Sequence, residues 1–347
     1  MGASEGGLAS GNGPGASAAS GRQWLLRRWL SLSAPVDAGT LDRCRGEVKT
    51  WVVAATETAP QTGYAPVNGL QMYYEIHGAG GIPLLLLHGG LFNIDLQFGQ
   101  LLPGLAATRQ VIAVDFQGHG RTGDIDRPLT SADLAADVVG LLGHLDIAQV
   151  DVFGNSVGGA VALHLAIKHP ALVRKLVASS VSFHPEGDRP EGSEAMAAVT
   201  VEAIAGTPMD QDYLAKSPNP DKLQELLGKL GRFDKGFTGW ADADIQGIAA
   251  PTLRTVGDGD AVRLDHMVRF LRLRGGDVNG DLVGVPASRL AVFPGTTHFF
   301  GLAKTELVLE RCCPSWMPPC PKVDHDGHST LGLNSGASGR SVPWRCC

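Results

Sequence analysis

The stretch "VDVFGNSVGGAVALHLAIKHP" (150–170) joins a short apolar, β-branched run to a helix-like pattern without a break. At its centre, "GNSVG" matches the G-x-S-x-G pattern, in which a serine lies on a sharp turn between a strand and a helix. Gly154 and Gly158 lack the side chains that would collide with that strand and helix. The pattern predicts that Ser156 is an exposed nucleophile, and the alternative is a glycine-rich turn that only packs closely.

Two other kinds of glycine-rich loop fit this stretch poorly. Ser156 occupies the place of the second glycine in the dinucleotide-binding pattern G-x-G-x-x-G. A phosphate-binding P-loop would end in Gly-Lys-Ser or Gly-Lys-Thr, and that ending is missing here. The stretch therefore does not indicate a nucleotide site.

The composition is that of a globular protein of one large domain or two modest ones, with 347 residues, 44% of them hydrophobic, and a formal net charge of −6. Long runs of lysine and arginine, which would indicate nucleic-acid binding, are missing. No stretch approaches the roughly 18 consecutive apolar residues that span a bilayer, and "WLLRRWLSLSA" (24–34) is interrupted by two arginines. We therefore expect a cytoplasmic protein without a membrane span or a nucleic-acid partner. The sequence does not indicate an oligomeric state.

Short apolar runs alternate with helix-like stretches such as "SADLAADVVGLLGHL" (131–145) over most of the chain. This alternation is typical of an α/β fold with a mainly parallel central sheet flanked by helices. Asn68-Gly69, between two alternating segments, predicts a β-hairpin before the parallel part. The apolar runs are 83–90, 111–120, 150–156, 175–181, 251–258 and 290–298.

The same patterns divide the chain into segments. Residues 1–60 are mostly small and polar at their start and lack clear periodicity, which predicts a disordered or loosely attached extension. Residues 61–182 and 249–311 form the two parts of the predicted core. Between them, 183–248 carry helix-like segments without a convincing apolar strand, so we expect an inserted helical cap.

Residues 312–347 form a tail rich in cysteine, proline and glycine, which we predict to be unstructured and unrelated in origin to the preceding fold. The alternative is a small zinc-binding appendage, although the spacing matches no standard zinc finger. Its ligands would be Cys312, Cys313, Cys320, His325 and His328. The cysteine-free body (45–311) indicates no disulfide and no cysteine-bound metal.

A nucleophilic serine needs a base, and the base needs an acid that orients it. In chain order after Ser156, "PTLRTVGDGDAV" (251–262) ends a strand in carboxylates, and "FPGTTHFF" (293–300) ends the next strand in His298. At such a sheet edge, Nε2 of His298 can take the serine proton while Nδ1–H donates to a carboxylate. The alternative is that His298 has only a structural role.

The span from about 62 to 305 resembles the α/β-hydrolase superfamily, in particular its serine esterase and lactonase branch. The resemblance covers about two thirds of the chain, and several motifs in the family's order are more specific than any one of them. These motifs are "HGG" (88–90), "DFQGHGRT" (115–122), "GNSVGG" (154–159), "PTLRTVGDGD" (251–260) and "PGTTH" (294–298).

The resemblance implies further site residues. The acid would be Asp260, three residues after the glycine that ends its strand, with Asp258 as the alternative. The backbone N–H groups of Gly90 and Val157 would form the oxyanion hole. The chemistry so implied uses neither a cofactor nor a metal.

The resemblance implies a carboxylesterase (EC 3.1.1) that cleaves small to medium acyl or aryl esters, or lactones, through an acyl-enzyme intermediate. Lactonases or enol-lactonases, cofactor-free perhydrolases and carbon–carbon bond hydrolases share the same triad and stay open as alternatives. Epoxide and haloalkane hydrolases of this fold use a carboxylate nucleophile, so Ser156 argues against them. A ligand receptor of the same fold is a further alternative.

Two further features of the sequence lead to separate expectations. Leu91 beside the "HGG" motif and the aromatic residues Phe233, Phe237 and Trp240 of the cap are candidates for substrate contacts. The alternative is that the aromatic residues only attach the cap to the core. Arg254 interrupts an apolar strand, which predicts either a strand exposed on one face or a carboxylate partner for the arginine.

Overall fold

Eight strands form one sheet in the order β1-β2-β4-β3-β5-β6-β7-β8 in the computed structural model, which describes residues 59–299 and 301–312. The strands from β3 to β8 pair in parallel, and β2 pairs antiparallel with β1 and β4. The predicted α/β fold with a mainly parallel sheet is confirmed. The strands are β1 (Gln61–Val67), β2 (Leu70–His77), β3 (Leu84–Leu87), β4 (Val111–Val114), β5 (Val150–Asn155), β6 (Val173–Ser179), β7 (Thr252–Gly259) and β8 (Arg289–Thr297).

The turn between β1 and β2 has the geometry that its sequence predicts. Asn68 and Gly69 both have positive φ angles, 46° and 87°. Two such residues form the tight turns whose twist matches that of a β-hairpin. The hairpin therefore starts the sheet, as expected.

Helices cover both faces of the sheet because its central strands are apolar on both sides. Leu85 and Leu87 of β3 belong to one buried cluster, whereas Leu84 and Leu86 belong to another. The α-helices of the described ranges are α1 (Ile94–Phe98), α2 (Leu102–Ala106), α3 (Ser131–His144), α4 (Val157–Lys168), α5 (Pro190–Ala197), α6 (Val201–Ile204), α7 (Pro208–Lys216), α8 (Leu223–Leu230), α9 (Asp242–Gln246), α10 (Leu264–Leu273), α11 (Gly280–Val283) and α12 (Thr305–Cys312). The first cluster includes side chains of α3 and α4, and the second includes side chains of α1, α2 and α12.

Helices α5 to α9 lie between β6 and β7, and none of the eight strands falls in that interval. Helix α8 packs its leucines into the apolar cluster on one face of the sheet. It also places Nζ of Lys229 at 2.7 Å from Oδ2 of Asp124, in a largely buried ion pair. Side chains of α8 approach Gly90 and Gly118, which follow β3 and β4. Helix α8 thus lies over the carboxyl ends of β3 and β4.

Two sequence expectations concern residues outside the described ranges. The N-terminal extension falls there except for residues 59 and 60, and the cysteine-rich tail falls there except for the helical backbone of Cys312. The boundaries between core, cap, extension and tail stay predictions. Within residues 59–299 and 301–312, no helix combines the length and apolar character needed to cross a bilayer.

Arg254 on β7 is only 1% exposed, so the expectation that this strand is exposed on one face is wrong. Nη2 donates a hydrogen bond to the carbonyl of Val181 and lies 3.0 Å from the sulfur of Met267. The guanidinium also lies 4.5 Å from the ring centre of Phe270. No carboxylate of the described residues forms a salt bridge with it, and the nearby charge of Asp188 acts from a longer distance. Its direct partner is therefore a carbonyl group.

Candidate active site

Ser156 lies on a strained turn between β5 and α4, with φ 53° and ψ −116°. The turn is anchored because the N–H of Ser156 donates to the carbonyl of Ser179 at 2.9 Å. A Cβ atom on Gly154 would lie 2.0 Å from the carbonyl oxygen of Gly158, and one on Gly158 would lie 2.1 Å from that of Leu87. These separations are far below van der Waals contact, so the turn requires glycine at both positions.

Three predicted residues meet at the carboxyl edge of the sheet. Nε2 of His298 lies 2.9 Å from Oγ of Ser156, and Nδ1 lies 2.8 Å from Oδ1 of Asp260. Each of the three directly follows the last residue of its strand, β5, β7 or β8. Because these strands are parallel, their carboxyl ends lie at the same edge, which explains how residues so distant in sequence come together.

The hydrogen-bond partners determine where the imidazole proton lies. The Asp260 carboxylate can only accept, so Nδ1 of neutral His298 carries the proton. Nε2 is then an acceptor for the Ser156 hydroxyl. In this state the ring is ready to take the serine proton as the hydroxyl attacks.

Asp260 is 3% exposed and has several hydrogen-bond donors besides His298. Oδ2 accepts from the Ser180 hydroxyl at 2.7 Å and from the N–H of Gly257 at 3.3 Å, and Oδ1 accepts from the N–H of Val262 at 3.1 Å. Burial alone would raise the pKa of Asp260, but the hydrogen bonds, that of His298 foremost, hold the pKa below its usual value. The carboxylate is therefore charged at neutral pH.

The structure places Asp258, the alternative acid, in a different position. Its oxygens accept from the N–H groups of Gly295 and Thr296, at 3.0 and 3.2 Å. These bonds, that from Gly295 first, hold the pKa of Asp258 below its usual value. Asp258 thus fixes the turn before His298, while Asp260 is the carboxylate that contacts the ring.

The "HGG" loop lies beside the serine. An ideal Cβ on Gly89 would lie 3.3 Å from Cβ of Ser156, and one on Gly90 would lie 3.4 Å from Cγ2 of Val157. The N–H of Gly89 is occupied, because it donates to Oε1 of Gln97 at 2.9 Å. Val157 is the first residue of α4, where N–H groups have no acceptor within the helix. Gly90 and Val157, the predicted donors, are thus brought together next to Ser156.

Comparison with known proteins agrees with this architecture. The family model of the α/β-hydrolase fold matches residues 82–200. The pimeloyl-[acyl-carrier protein] methyl ester esterase of Neisseria meningitidis serogroup B / serotype 15 (strain H44/76) is 32% identical over 244 residues, which are 61% of this chain and 84% of that protein. The chain belongs to the α/β-hydrolase family.

Other α/β hydrolases are similar over different shares of the chain. The 2-hydroxymuconate semialdehyde hydrolase of Pseudomonas sp. (strain CF600) is 38% identical over 139 residues, 34% of this chain. The match spans less than half, 48%, of that relative. The solved enol-lactonase of Burkholderia xenovorans LB400 has a TM-score of 0.56 at 19% identity, over 73% of this chain and 99% of that one. This last likeness concerns the fold.

The predicted substrate contacts of this α/β hydrolase separate into two groups. Leu91 lines a pocket between the "HGG" loop and helices α6 to α8. Trp240 instead packs against His164 of α4, with ring centres 5.4 Å apart, and against Phe237 at 5.6 Å. Phe233 and Trp240 both pack on the main apolar cluster. The three aromatic residues are not part of the Leu91 pocket, so their role in substrate binding stays a prediction.

Residues that the sequence patterns did not single out support the site. Ser180 and Gln97 hold the Asp260 carboxylate and the Gly89 N–H, respectively. Nε of Arg189 donates to the carbonyl of Asp260 at 3.2 Å. These residues carry no motif of their own, and only the order of the strands and the path of the chain show their positions.

Metal ligands were considered only for the tail, as the alternative to an unstructured segment, and these residues lie outside the described ranges except for the backbone of Cys312. Among the residues that the structure describes, histidine, cysteine and carboxylate side chains form no group of three that could hold a metal ion. The zinc appendage therefore stays an untested alternative.

Proposed function

We propose that the protein is a serine carboxylic ester hydrolase with Ser156 as nucleophile, His298 as general base and Asp260 as the orienting acid. The observation that carries the proposal is the pair of hydrogen bonds from Ser156 to His298 and from His298 to Asp260, at 2.9 and 2.8 Å. The similarity to a methyl ester esterase, over 61% of this chain and 84% of that protein, supports an ester as substrate. The substrate class is a small to medium acyl or aryl ester.

The first half of the reaction forms an acyl-enzyme. Oγ of Ser156 attacks the carbonyl carbon of the ester while Nε2 of His298 takes the hydroxyl proton. Negative charge then develops on the carbonyl oxygen, which the N–H groups of Gly90 and Val157 stabilise. Losing one such donor typically raises the barrier by about 3 kcal/mol. His298 then gives its proton to the leaving alcohol, the bond between the carbonyl carbon and the alcohol oxygen breaks and the acyl-enzyme remains, while Asp260 stabilises the imidazolium.

The second half of the reaction releases the acid. Water then takes the place of the serine hydroxyl, loses its proton to Nε2 of His298 and attacks the acyl group. The carboxylic acid leaves, and Ser156 regains its proton.

Lactonase activity is the second candidate, because a solved enol-lactonase shares the fold at a TM-score of 0.56. Hydrolysis of a lactone uses the same steps, with the alcohol retained in the product. A panel of p-nitrophenyl acetate, p-nitrophenyl butyrate and γ- and δ-lactones distinguishes the two. A higher kcat/KM for lactones than for linear esters would favour the lactonase.

The decisive test compares the wild type with Ser156→Ala on this panel. We expect kcat to fall by about four to six orders of magnitude, because the nucleophile is lost. Ser182→Ala is the matched control, since this nearby hydroxyl donates to Asp188 and not to the His298–Asp260 pair. Equal rates for the wild type and Ser156→Ala, or no turnover of any ester or lactone by the wild type, would refute the proposal.

A further inference from the structure

Two buried histidines beside the active site have closely matched surroundings. His88 and His119 are 0% and 1% exposed, and their ring centres lie 5.1 Å apart. Nδ1 of His88 lies 2.7 Å from the carbonyl of Gly89, and Nδ1 of His119 lies 2.9 Å from that of Gln117. A carbonyl oxygen can only accept, so both rings carry their proton on Nδ1 when neutral. Nε2 is therefore an acceptor in each ring.

The Nε2 atoms of the two histidines differ in their hydrogen-bond partners. Nε2 of His88 accepts from the N–H of Phe116 at 3.0 Å. Nε2 of His119 is also buried but has no hydrogen-bond partner among the described residues. Burial lowers the pKa of His119 to about 4, so the ring is neutral at pH 7 and Nε2 stays an acceptor. Buried polar atoms without a partner are rare, and this one calls for a donor from outside the protein.

His119 lines the pocket that contains Leu91, and the rest of the pocket is mainly apolar. Leu91, Phe92 and Leu96 form its wall on the core side, and Met209, Leu223 and Leu226 come from the helices above.

The other side chains of the pocket that can form hydrogen bonds already have partners within the protein. Asp212 accepts from Asn93 and Lys216, Oδ1 of Asn93 accepts from the N–H of Leu96, and the Tyr213 hydroxyl donates to the carbonyl of Asn219.

Two residues that line the pocket are linked to the Ser156–His298 pair. Leu91 directly follows Gly90, the predicted oxyanion donor. The ring of Phe92 lies 5.9 Å from that of Phe299, which in turn lies 5.8 Å from that of His298. Leu91 and Phe92 thus lie between the pocket and the reacting groups.

We propose that this pocket is a subsite of the Ser156 active site for an apolar group that carries one hydrogen-bond donor, such as a phenol, bound through Nε2 of His119. The inference rests on the proposed ester hydrolysis and specifies its substrate class. The cavity measures about 10 Å³, close to the room for one water molecule. A phenol is larger than this cavity, so the proposal requires Met209 and Leu223, which line the pocket from the helices above, to move aside on binding.

Two esters that differ only in the donor test the inference. They are p-nitrophenyl 3-(4-hydroxyphenyl)propanoate and p-nitrophenyl 3-phenylpropanoate, compared by their ratio of kcat/KM in one enzyme preparation. We expect the wild type to prefer the hydroxylated ester about tenfold, the size of one well-placed hydrogen bond. His119→Phe keeps a flat ring without the acceptor and should bring the ratio to 1 or below. His119→Gln regains an acceptor oxygen and should keep part of the preference.

Because each ratio is taken within one preparation, a loss of folded enzyme in a variant does not change it. A wild-type ratio near 1, or the same ratio in His119→Phe, would overturn the inference and leave a single water as the partner of Nε2. Turnover of p-nitrophenyl acetate without turnover of either arylpropanoate would also overturn it. In all three cases Ser156-dependent hydrolysis would still support the proposed function, which fails if no ester or lactone is hydrolysed or if Ser156→Ala is as active as the wild type.

Discussion

The hydroxyl of Ser180 donates to Oδ2 of Asp260 at 2.7 Å, while Oδ1 of the same carboxylate faces Nδ1 of His298 at 2.8 Å. Ser180 follows β6, has a positive φ of 49° and is 2% exposed. Asp260 is thus held from both sides, by the base that it orients and by a neighbouring strand end. The relationship makes Ser180 a positioning residue for the acid.

Ser180→Ala should lower both stability and kcat. A hydrogen bond to a buried charged group is worth about 1.5–3 kcal/mol, so we expect a loss of this size in the free energy of unfolding at pH 7. The pKa of Asp260 is held below its usual value in the folded protein, so its contribution is present above the unfolded pKa of about 3.9 and is lost as pH falls through the folded pKa. The difference between variant and wild type should therefore shrink below pH 4.

Urea unfolding at pH 7 and pH 3.5, together with kcat for p-nitrophenyl acetate, measures these effects. Ser182→Ala removes a half-buried hydroxyl that donates to Asp188 and controls for the general loss of a hydrogen bond to a carboxylate. Equal kcat values in both variants would argue against a positioning role for Ser180.

The two carboxylates after β7 should differ sharply in their importance. Asp260→Asn should lower kcat by about four orders of magnitude, because an amide favours the wrong tautomer of the base and cannot stabilise the imidazolium. Asp258→Asn should lose less than about tenfold, since Asp258 binds the N–H groups of Gly295 and Thr296 and an amide oxygen can keep one of these bonds. Single-turnover rates of the two variants decide the matter. The larger loss in Asp258→Asn would identify Asp258 as the orienting acid.

A short strap before α5 should control the position of the acid. Residues 187–189 bind the loop 260–263 through N–H of Arg189 to the carbonyl of Ala261 and N–H of Arg263 to that of Gly187, both at 2.8 Å. Nε of Arg189 adds a bond to the carbonyl of Asp260. Arg189→Ala removes only this last bond, so we expect kcat to fall about three- to tenfold with KM little changed, because small displacements of catalytic groups are costly.

Steady-state kinetics of Arg189→Ala, with its pH profile, tests the strap. Arg263→Ala is the matched control, because its exposed side chain binds Asp265 and not the Asp260 loop. A change in KM alone would show that Arg189 acts on substrate binding and not on the acid.

The buried Arg254 should give the protein an alkaline dependence of stability. Burial lowers the pKa of Arg254 to about 9, whereas an arginine in the unfolded chain stays above 12. Between these values the unfolded chain binds more protons, so the contribution of Arg254 to the free energy of unfolding rises with pH. Arg254→Met lacks this contribution.

Urea unfolding of wild type and Arg254→Met at pH 8, 9 and 10 measures the effect. The free energy of unfolding of the wild type should rise relative to that of Arg254→Met as the pH increases above 9. A constant difference across this range would mean that the buried guanidinium keeps an ordinary pKa.

The positions of Ser156 and His298 could be predicted because each follows an apolar run that reads clearly as a strand. The carboxyl ends of parallel strands lie at the same edge of the sheet. Residues that follow those ends can therefore meet there, regardless of the length of sequence that separates the strands. Ser180 could not be found in this way, since its contact depends on β6 being the neighbour of β7 in the sheet. The family resemblance favours Asp260 over Asp258, and the three-dimensional structure shows that Asp260 is the carboxylate that contacts the ring.

Packing residues were harder to interpret than strand ends. Trp240 lies in the inserted segment, yet it packs on His164 of α4, because an aromatic ring serves attachment as well as ligand binding. Arg254 interrupts an apolar strand and is nevertheless buried, since a carbonyl, a sulfur and a ring surround its guanidinium. Residue type alone does not distinguish such cases.

The attachment of Ser156, Asp260 and His298 directly to strand ends has a consequence for how the protein can diversify. The positions of the reacting groups depend on the register of three strands, whereas the Met209 and Leu223 side chains above the His119 pocket belong to the insertion between β6 and β7. Helix α8 also contacts Gly90 through Leu230, so we expect mutations in α6 and α7 to change which molecules are accepted with less effect on the chemistry. Directed evolution towards a new substrate should begin in those helices, and grafting them onto a related enzyme should transfer preference more readily than rate.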